Sequence, residues 1–240
     1  MIRVWWLGSA GGQGNFGDIL TPAILDYFSI EYTFVKNYRD ADAICIGSIA
    51  RRAGTGVKVL GSGIISRGDR VNANADWKFV RGPYTRDQVL KFGGECPEIY
   101  GDPALLLPLI VDPSEKKYEV GIVPHNVDYD FISKEYPNNN IIGLGTRDYT
   151  RVVDKITQCE SIVSSSLHGI ICAHAYGIPA AWVAPNTKLK GDNIKFEDYF
   201  ASVNVEATQS TYNNPVFIKP GNIDLEPIIQ IFKKIGGNDE

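Results

Sequence analysis

One grammar recurs through this sequence and limits what it can fold into. A short apolar run ends in a loop rich in glycine or small polar residues, and a helix-compatible stretch follows. Ile2 to Leu7 runs into GSAGGQGNFGD at 8–18, and a helix is expected from Ile19 to Phe28 with Asp18 as its cap and Pro22 in its first turn. Tyr32 to Val35, Ala43 to Ile46 and Val57 to Leu60 read as strands, the last ending in GSG at 61–63. Trp77 to Val80 is another, followed by RGPYT and a helix from Pro83 to about Phe92, which Gly93-Gly94 stops. The pattern then repeats. Tyr118 to Val123 ends in PHN, Tyr129 to Glu135 is weakly helical, and Ile141-Ile142 is a strand. A helix is expected from Tyr149 to Cys159, a strand from Ser161 to Val163, then SSSLHG at 164–169 and a helix to about Ala175. Ala180 to Val183 is the next strand. Leu225, Ile228, Ile229 and Phe232 place a last helix over Asp224 to Ile235.

Strands that alternate with helices build parallel sheets covered on both faces. The fold class expected is therefore α/β, with two Rossmann-like domains facing a cleft. The polar, proline-bearing stretch VDPSEKK at 111–117 marks the join, giving domains over 1–113 and 114–240, with the last helix able to pack back on the first. In open α/β domains ligands sit beyond the carboxyl ends of the strands, so the polar loops point to the cleft.

Composition excludes several classes. A formal net charge of −4, from 24 Lys and Arg against 28 Asp and Glu, gives no basic footprint for nucleic acid. No stretch reaches the length of a transmembrane span, because Pro108 sits within the longest apolar run, Ala104 to Val111. The opening MIRVWWLG reads as a buried strand and not as a signal peptide. The four cysteines (Cys45, Cys96, Cys159, Cys172) form no CxxC pair and lie in or beside apolar segments. Buried free thiols, no metal site and a cytoplasmic address are the expectation.

Several residues could carry chemistry. The loop at 8–18 has five glycines and feeds a helix start, a form suited to an anion or a closely approaching ligand. It lacks the GK[ST] of a Walker A loop and the strict dinucleotide spacing. Its polar handles are Asn15 and Asp18, which serve equally well as turn and cap residues. Arg81 follows a buried strand, where a guanidinium must be paired; it either grips a carboxylate or phosphate or forms a structural ion pair, for instance with Asp102. Asp102, in YGDPALLLP, caps its turn or lines the cleft. In SSSLHG, Ser164, Ser165, Ser166 and nearby amides suit phosphate oxygens, and His168 falls in the first turn of the following helix, where the dipole favours the neutral ring. His174 is expected to pack. His125 ends a strand and is a candidate for the cleft. Lys188, Lys190 and Lys195 flank Asp192, in a cationic loop able to close on an anion or simply to lie in solvent.

Taken in order, GNFGD at 14–18, VRGPYT at 80–85, YGDPALLLP at 100–108, GIVPH at 121–125, SSSLHGIICAHAYGIPAAW at 164–182 and KFEDYFAS at 195–202 resemble the polysaccharide pyruvyl transferase family. The resemblance implies two Rossmann-like domains of GT-B type and transfer of the pyruvyl skeleton of phosphoenolpyruvate to a sugar, forming a pyruvate ketal and releasing phosphate. It implies no cofactor. The family's Leu-His-Gly histidine matches His168, expected as the acid. Its Val-Arg-Gly arginine matches Arg81, expected on the donor's carboxylate or phosphate. Its Asn-x-Gly-Asp loop matches Asn15, Gly17 and Asp18, on the acceptor or interdomain side. Many relatives carry an arginine directly before the Leu-His pair; here Ser166 stands there, and Lys190 or Lys195 could replace the missing cation.

In the mechanism this implies, His168 donates the proton that donor C3 gains. Arg81 and the turn from Ser164 to Ser166 stabilise charge, and Asp18 or Asp102 orients or deprotonates the acceptor. The acceptor implied is a nucleotide- or lipid-linked sugar of a capsule or exopolysaccharide, met at the inner face of the membrane, with homo-oligomerisation open. Two alternatives fit the same residues: a GT-B glycosyltransferase using a nucleotide sugar, and a non-catalytic sugar- or anion-binding relative.

Overall fold

The computed structural model of the chain describes residues 1–8, 14–185 and 191–237. The described residues form ten strands. The first five are β1 (Ile2–Trp5), β2 (Tyr32–Phe34), β3 (Ala43–Ile44), β4 (Lys58–Leu60) and β5 (Asp76–Phe79). The second five are β6 (Tyr118–Val123), β7 (Asn140–Ile141), β8 (Cys159–Ser164), β9 (Ala180–Val183) and β10 (Gln209–Ser210). Helices α1 (Phe16–Tyr27), α2 (Pro83–Lys91), α3 (Tyr129–Glu135), α4 (Tyr149–Thr157), α5 (Leu167–Ala175), α6 (Ile194–Ser202) and α7 (Glu226–Gly236) lie between and after them.

Two five-stranded sheets result, both parallel throughout. Their orders are β2-β1-β3-β4-β5 and β7-β6-β8-β9-β10. These are one topology used twice: the first strand of each set sits second, and the third lies beside it. This is the doubly wound Rossmann-like arrangement, and the fold is α/β as the strand–helix alternation predicts. Strand burial has the expected cause. All four residues of β9 are buried, as are the last three of β6 and of β8, because helices cover both faces of a parallel sheet.

Several local expectations shift. Helix α1 starts three residues earlier than read, capped by Asn15, whose Oδ1 accepts the Gly17 N–H at 3.2 Å; Asp18 lies inside its first turn. Pro22 therefore sits inside the helix and leaves the Asp18 carbonyl without its i+4 donor. The segment Pro103–Leu109 is a 3-10 helix, begun by the Asp102 carboxylate, whose Oδ1 accepts the Ala104 N–H at 3.0 Å. Helix α6 has no counterpart in the reading of the sequence. Arg86 pairs with Glu98. All four cysteines are buried free thiols.

The principal hydrophobic core is continuous across both sheets. It joins Val4, Phe16, Leu20 and Phe79 to Val123, Ile162, Ile170 and Phe200, with Leu105, Leu106 and Leu107 of the 3-10 helix between them. That 3-10 helix packs on both α1 and α5, and α1 also packs on α4. Helix α7 sends Phe232 against Phe28 and Phe79, at ring distances of 5.1 and 5.8 Å. Among the described residues, no helix is long and apolar enough to cross a membrane.

Candidate active site

In a sheet of this strand order, the loops leaving the first and third strands diverge and open a crevice at their carboxyl ends. The two sheets point these crevices at one another. From the first come Leu7, after β1, and Gly47 and Ser48, after β3; from the second come His125 and Asn126, after β6, and Ser166 and His168, after β8. Together with Asn15, Asp18, Ile65, Leu144, Leu167 and Lys195 they enclose a cavity of about 220 Å³. Helices α1, α5 and α6 all begin at its wall. Their first-turn N–H groups and dipoles give the cavity a positive field suited to an anion.

His168 is the second residue of α5, and its side chain retains 16% exposure. Its Nε2 is buried without a hydrogen bond and faces Asp102 Oδ2 at 3.8 Å, itself buried and unbonded. The α-carbon of Gly17 lies against the ring: a methyl there would come within 2.5 Å of Cε1 and 2.7 Å of Cγ. The glycine of the Asn-x-Gly-Asp loop is thus required by close approach across the two halves of the molecule. Burial drives the His168 pKa down to about 3, and the positive charges of Arg81 and Lys195 act the same way, so the ring is neutral at pH 7.

The carboxyls respond in the opposite direction. Burial raises Asp18 to about 7, which makes it a competent proton acceptor near neutrality. Burial also raises Asp102 to about 6, against the pull of the Ala104 N–H and of Arg81. Asp18 lines the cavity; Asp102, 1% exposed, stands behind His168 and does not. Lys195, in the first turn of α6, lines the cavity. Burial lowers its pKa to about 8, with Arg81 adding to the effect, and its ammonium lies 5.1 Å from the Phe196 ring centre. Among the described residues it has no ion-pair partner within 4.0 Å. Asp192 fixes this turn by accepting from Ile194 N at 3.3 Å and Arg67 N at 2.9 Å. His125 also borders the cavity, its pKa lowered by burial and by Lys195. Lys188 and Lys190 lie outside the described residues.

The three serines separate in role. Ser164 Oγ donates to Val123 O at 2.7 Å and accepts the Ser166 N–H at 3.0 Å, tying β8 to β6. Ser165 Oγ accepts from His125 N at 2.9 Å and Tyr212 Oη at 3.2 Å. Only Ser166 of the three lines the cavity, and its side chain makes no cap bond to α5.

Arg81 is fully buried and does not line the cavity. It forms an ion pair, but with Asp198 of α6 and not with Asp102: Nε donates to Asp198 Oδ2 at 3.0 Å, and Nη2 lies 2.9 Å from the same oxygen. Nη2 also donates to Ile64 O and Nη1 to Ser48 Oγ, each at 2.8 Å. Thr85 N and Oγ1 donate to the same carboxylate at 2.8 and 2.7 Å. Through Ser48, a wall residue, this buried network reaches the edge of the cavity, and its charge acts on His168, Lys195 and Asp102. Asp198 and Ser48 escaped the reading of the sequence. The signal for Asp198 was an acid set among the aromatics of KFEDYF.

The family described as polysaccharide pyruvyl transferase matches over residues 15–187, which takes in Asn15, Gly17, Asp18, Asp102, His125 and His168; Lys195 lies beyond it. The chain is 35% identical over 174 residues to the uncharacterized protein L143 of Acanthamoeba polyphaga mimivirus, covering 68% of this chain and 61% of that protein. It is 29% identical over 211 residues to the succinoglycan biosynthesis protein ExoV of Rhizobium meliloti (strain 1021), covering 80% of this chain and 63% of that protein. The chain thus spans about three fifths of the length of these curated relatives. No solved structure matches. With residues 15–187 matched, well over half of its length, the chain belongs to the polysaccharide pyruvyl transferase family.

Proposed function

We propose that this chain transfers a pyruvyl group from phosphoenolpyruvate to a sugar of a polysaccharide or its precursor, closing a cyclic ketal and releasing phosphate. One observation carries the reading: His168, Lys195, Asp18 and the N-terminus of α5 meet at a single cavity. Phosphoenolpyruvate brings a carboxylate and a phosphate together on one alkene. Lys195 and the α5 amides, beside the Ser166 hydroxyl, receive these anions, with Lys195 in the place of the arginine that many relatives carry before the Leu-His pair. Arg81 acts on the donor through its field and through Ser48.

On its own His168 is neutral at pH 7. A bound dianion reverses the field that holds it so, and the ring takes up a proton. That proton passes to donor C3 as the C2–C3 π bond breaks, leaving an oxocarbenium-like C2. An acceptor hydroxyl attacks C2 and yields its proton to Asp18. The C2–O bond to phosphate then breaks, and a second hydroxyl closes the ketal, returning its proton to His168. The proton held by Asp18 leaves with the phosphate. Asp18 is preferred to Asp102 as this base because it lines the cavity and Asp102 does not.

The acceptor in this reading is a nucleotide- or lipid-linked sugar, met in the cytoplasm at the inner membrane face. The test is mass spectrometry of the full chain with phosphoenolpyruvate and a panel of such sugars. A ketal mass gain with stoichiometric phosphate, lost in His168→Ala, is expected. Release of a nucleoside diphosphate from a nucleotide sugar, with no ketal, would show glycosyl transfer instead and overturn the proposal.

A further inference from the structure

We propose that Asp102 is a positioning residue for His168: its carboxylate takes the Nε2–H of the imidazole, so that Nδ1 is the nitrogen that carries the transferred proton. This goes beyond the assignment of His168 as the proton carrier and rests on that reading.

Among the described residues the two groups face each other unbonded. Asp102 Oδ1 is spent on the Ala104 N–H, while Oδ2 is buried with no hydrogen bond. His168 Nε2 is buried with no hydrogen bond either, and the two atoms stand 3.8 Å apart. Buried polar atoms are almost always bonded, so an opposed pair of orphans marks an interaction that tightens when the site fills. An approach of about 0.9 Å brings them into the ordinary range of such bonds. Nδ1, by contrast, has no hydrogen bond and is not sealed from solvent, and the ring that bears it lines the cavity.

Chemistry favours the same assignment. A neutral imidazole with its hydrogen on Nε2 has its lone pair on Nδ1, the nitrogen not turned to Asp102. Once Nδ1 is protonated, the carboxylate behind the ring offsets a cation that Arg81 and Lys195 both oppose. Asp102 keeps its hydrogen bond and takes no proton through the cycle. The 3-10 helix that Asp102 begins anchors this carboxylate in the core between the two sheets, a rigid mount for a reactive ring.

The test is ¹⁵N–¹H NMR of the full chain labelled at histidine, with His168 assigned by the signal missing from His168→Gln. The wild-type spectrum at pH 7.5 is expected to show the Nε2–H tautomer. In Asp102→Asn the carboxamide can donate to Nε2, so the ring is expected to shift toward Nδ1–H. With turnover assayed, kcat should then fall roughly 10⁴-fold, as misplaced histidine tautomers do, while KM for phosphoenolpyruvate stays within about threefold, since Asp102 does not line the cavity. An Nδ1–H tautomer in the wild type would overturn the proposal, as would an unchanged tautomer and kcat in Asp102→Asn. The wild-type tautomer needs neither the variant nor turnover. It therefore decides the point even where Asp102→Asn does not fold or the donor proves to be another anion.

Discussion

Gly17→Ala is the most discriminating perturbation of this site. The added methyl lies 2.5 Å from His168 Cε1, 2.7 Å from Cγ and closer still to Nδ1. Ordinary contact begins at 3.4 Å, so the imidazole must retreat by about 0.9 Å at the least. It cannot do so freely, because Leu167 and Gly169 on either side are buried and Asp102 stands behind it. A shift of about 1 Å from reactive geometry costs on the order of 100-fold in rate, and kcat for phosphate release is expected to fall by about that factor. Stability should change far less. Overpacking costs about 1–3 kcal/mol, and alanine regains about 0.5–1 kcal/mol over glycine in a helix. The assay is acceptor-dependent phosphate release, run beside urea unfolding of the same preparation. A folded Gly17→Ala protein with kcat within threefold of wild type would refute the argument that ring placement sets the rate.

Two further outcomes follow from the electrostatics. Arg81→Met leaves Asp198 as a fully buried carboxylate without its cation; a loss of about 3–5 kcal/mol is expected, read as a lower urea midpoint, and an unchanged midpoint would show that the pair contributes nothing. Lys195 has its pKa lowered to about 8, so it is a cation below that pH and loses its charge as pH rises through it. Calorimetric affinity for phosphoenolpyruvate should therefore weaken above about pH 8, and Lys195→Met should bind weakly at every pH with that step gone.

The elements legible in the sequence share a physical cause. A strand buried on both faces of a parallel sheet must be apolar along its length, so AAWV of β9 and the GIV of β6 could be recognised directly. Helix α2 announced itself by Pro83 at its start. Helix α6 did not: it begins at Asn193 in a left-handed conformation with no side-chain cap, and the carboxylate that accepts its first N–H belongs to Asp192. Asn15 and Asp18 lie three residues apart, and only the backbone path decides which of them caps α1. The site residues on strand-end loops were legible because topology sends those loops to the crevice. Partners distant in sequence were not. Arg81 meets an acid 117 residues away, and nothing local distinguishes a guanidinium that grips a ligand from one already gripped. Nor does SSSLHG show that Ser164 and Ser165 face inward while Ser166 does not.

The core that runs unbroken through both sheets bears on the independence of its halves as much as on stability. Two halves of one topology suggest interchangeable modules, but Leu105, Leu106 and Leu107 are wedged between α1 and α5, and Phe232 of α7 closes over Phe28 and Phe79. Neither half can drift on its own, since a change of volume on one side must be answered on the other. A substitution in either half is therefore felt in the other, and the seat that His168 and Gly17 build across the join rests on that shared core.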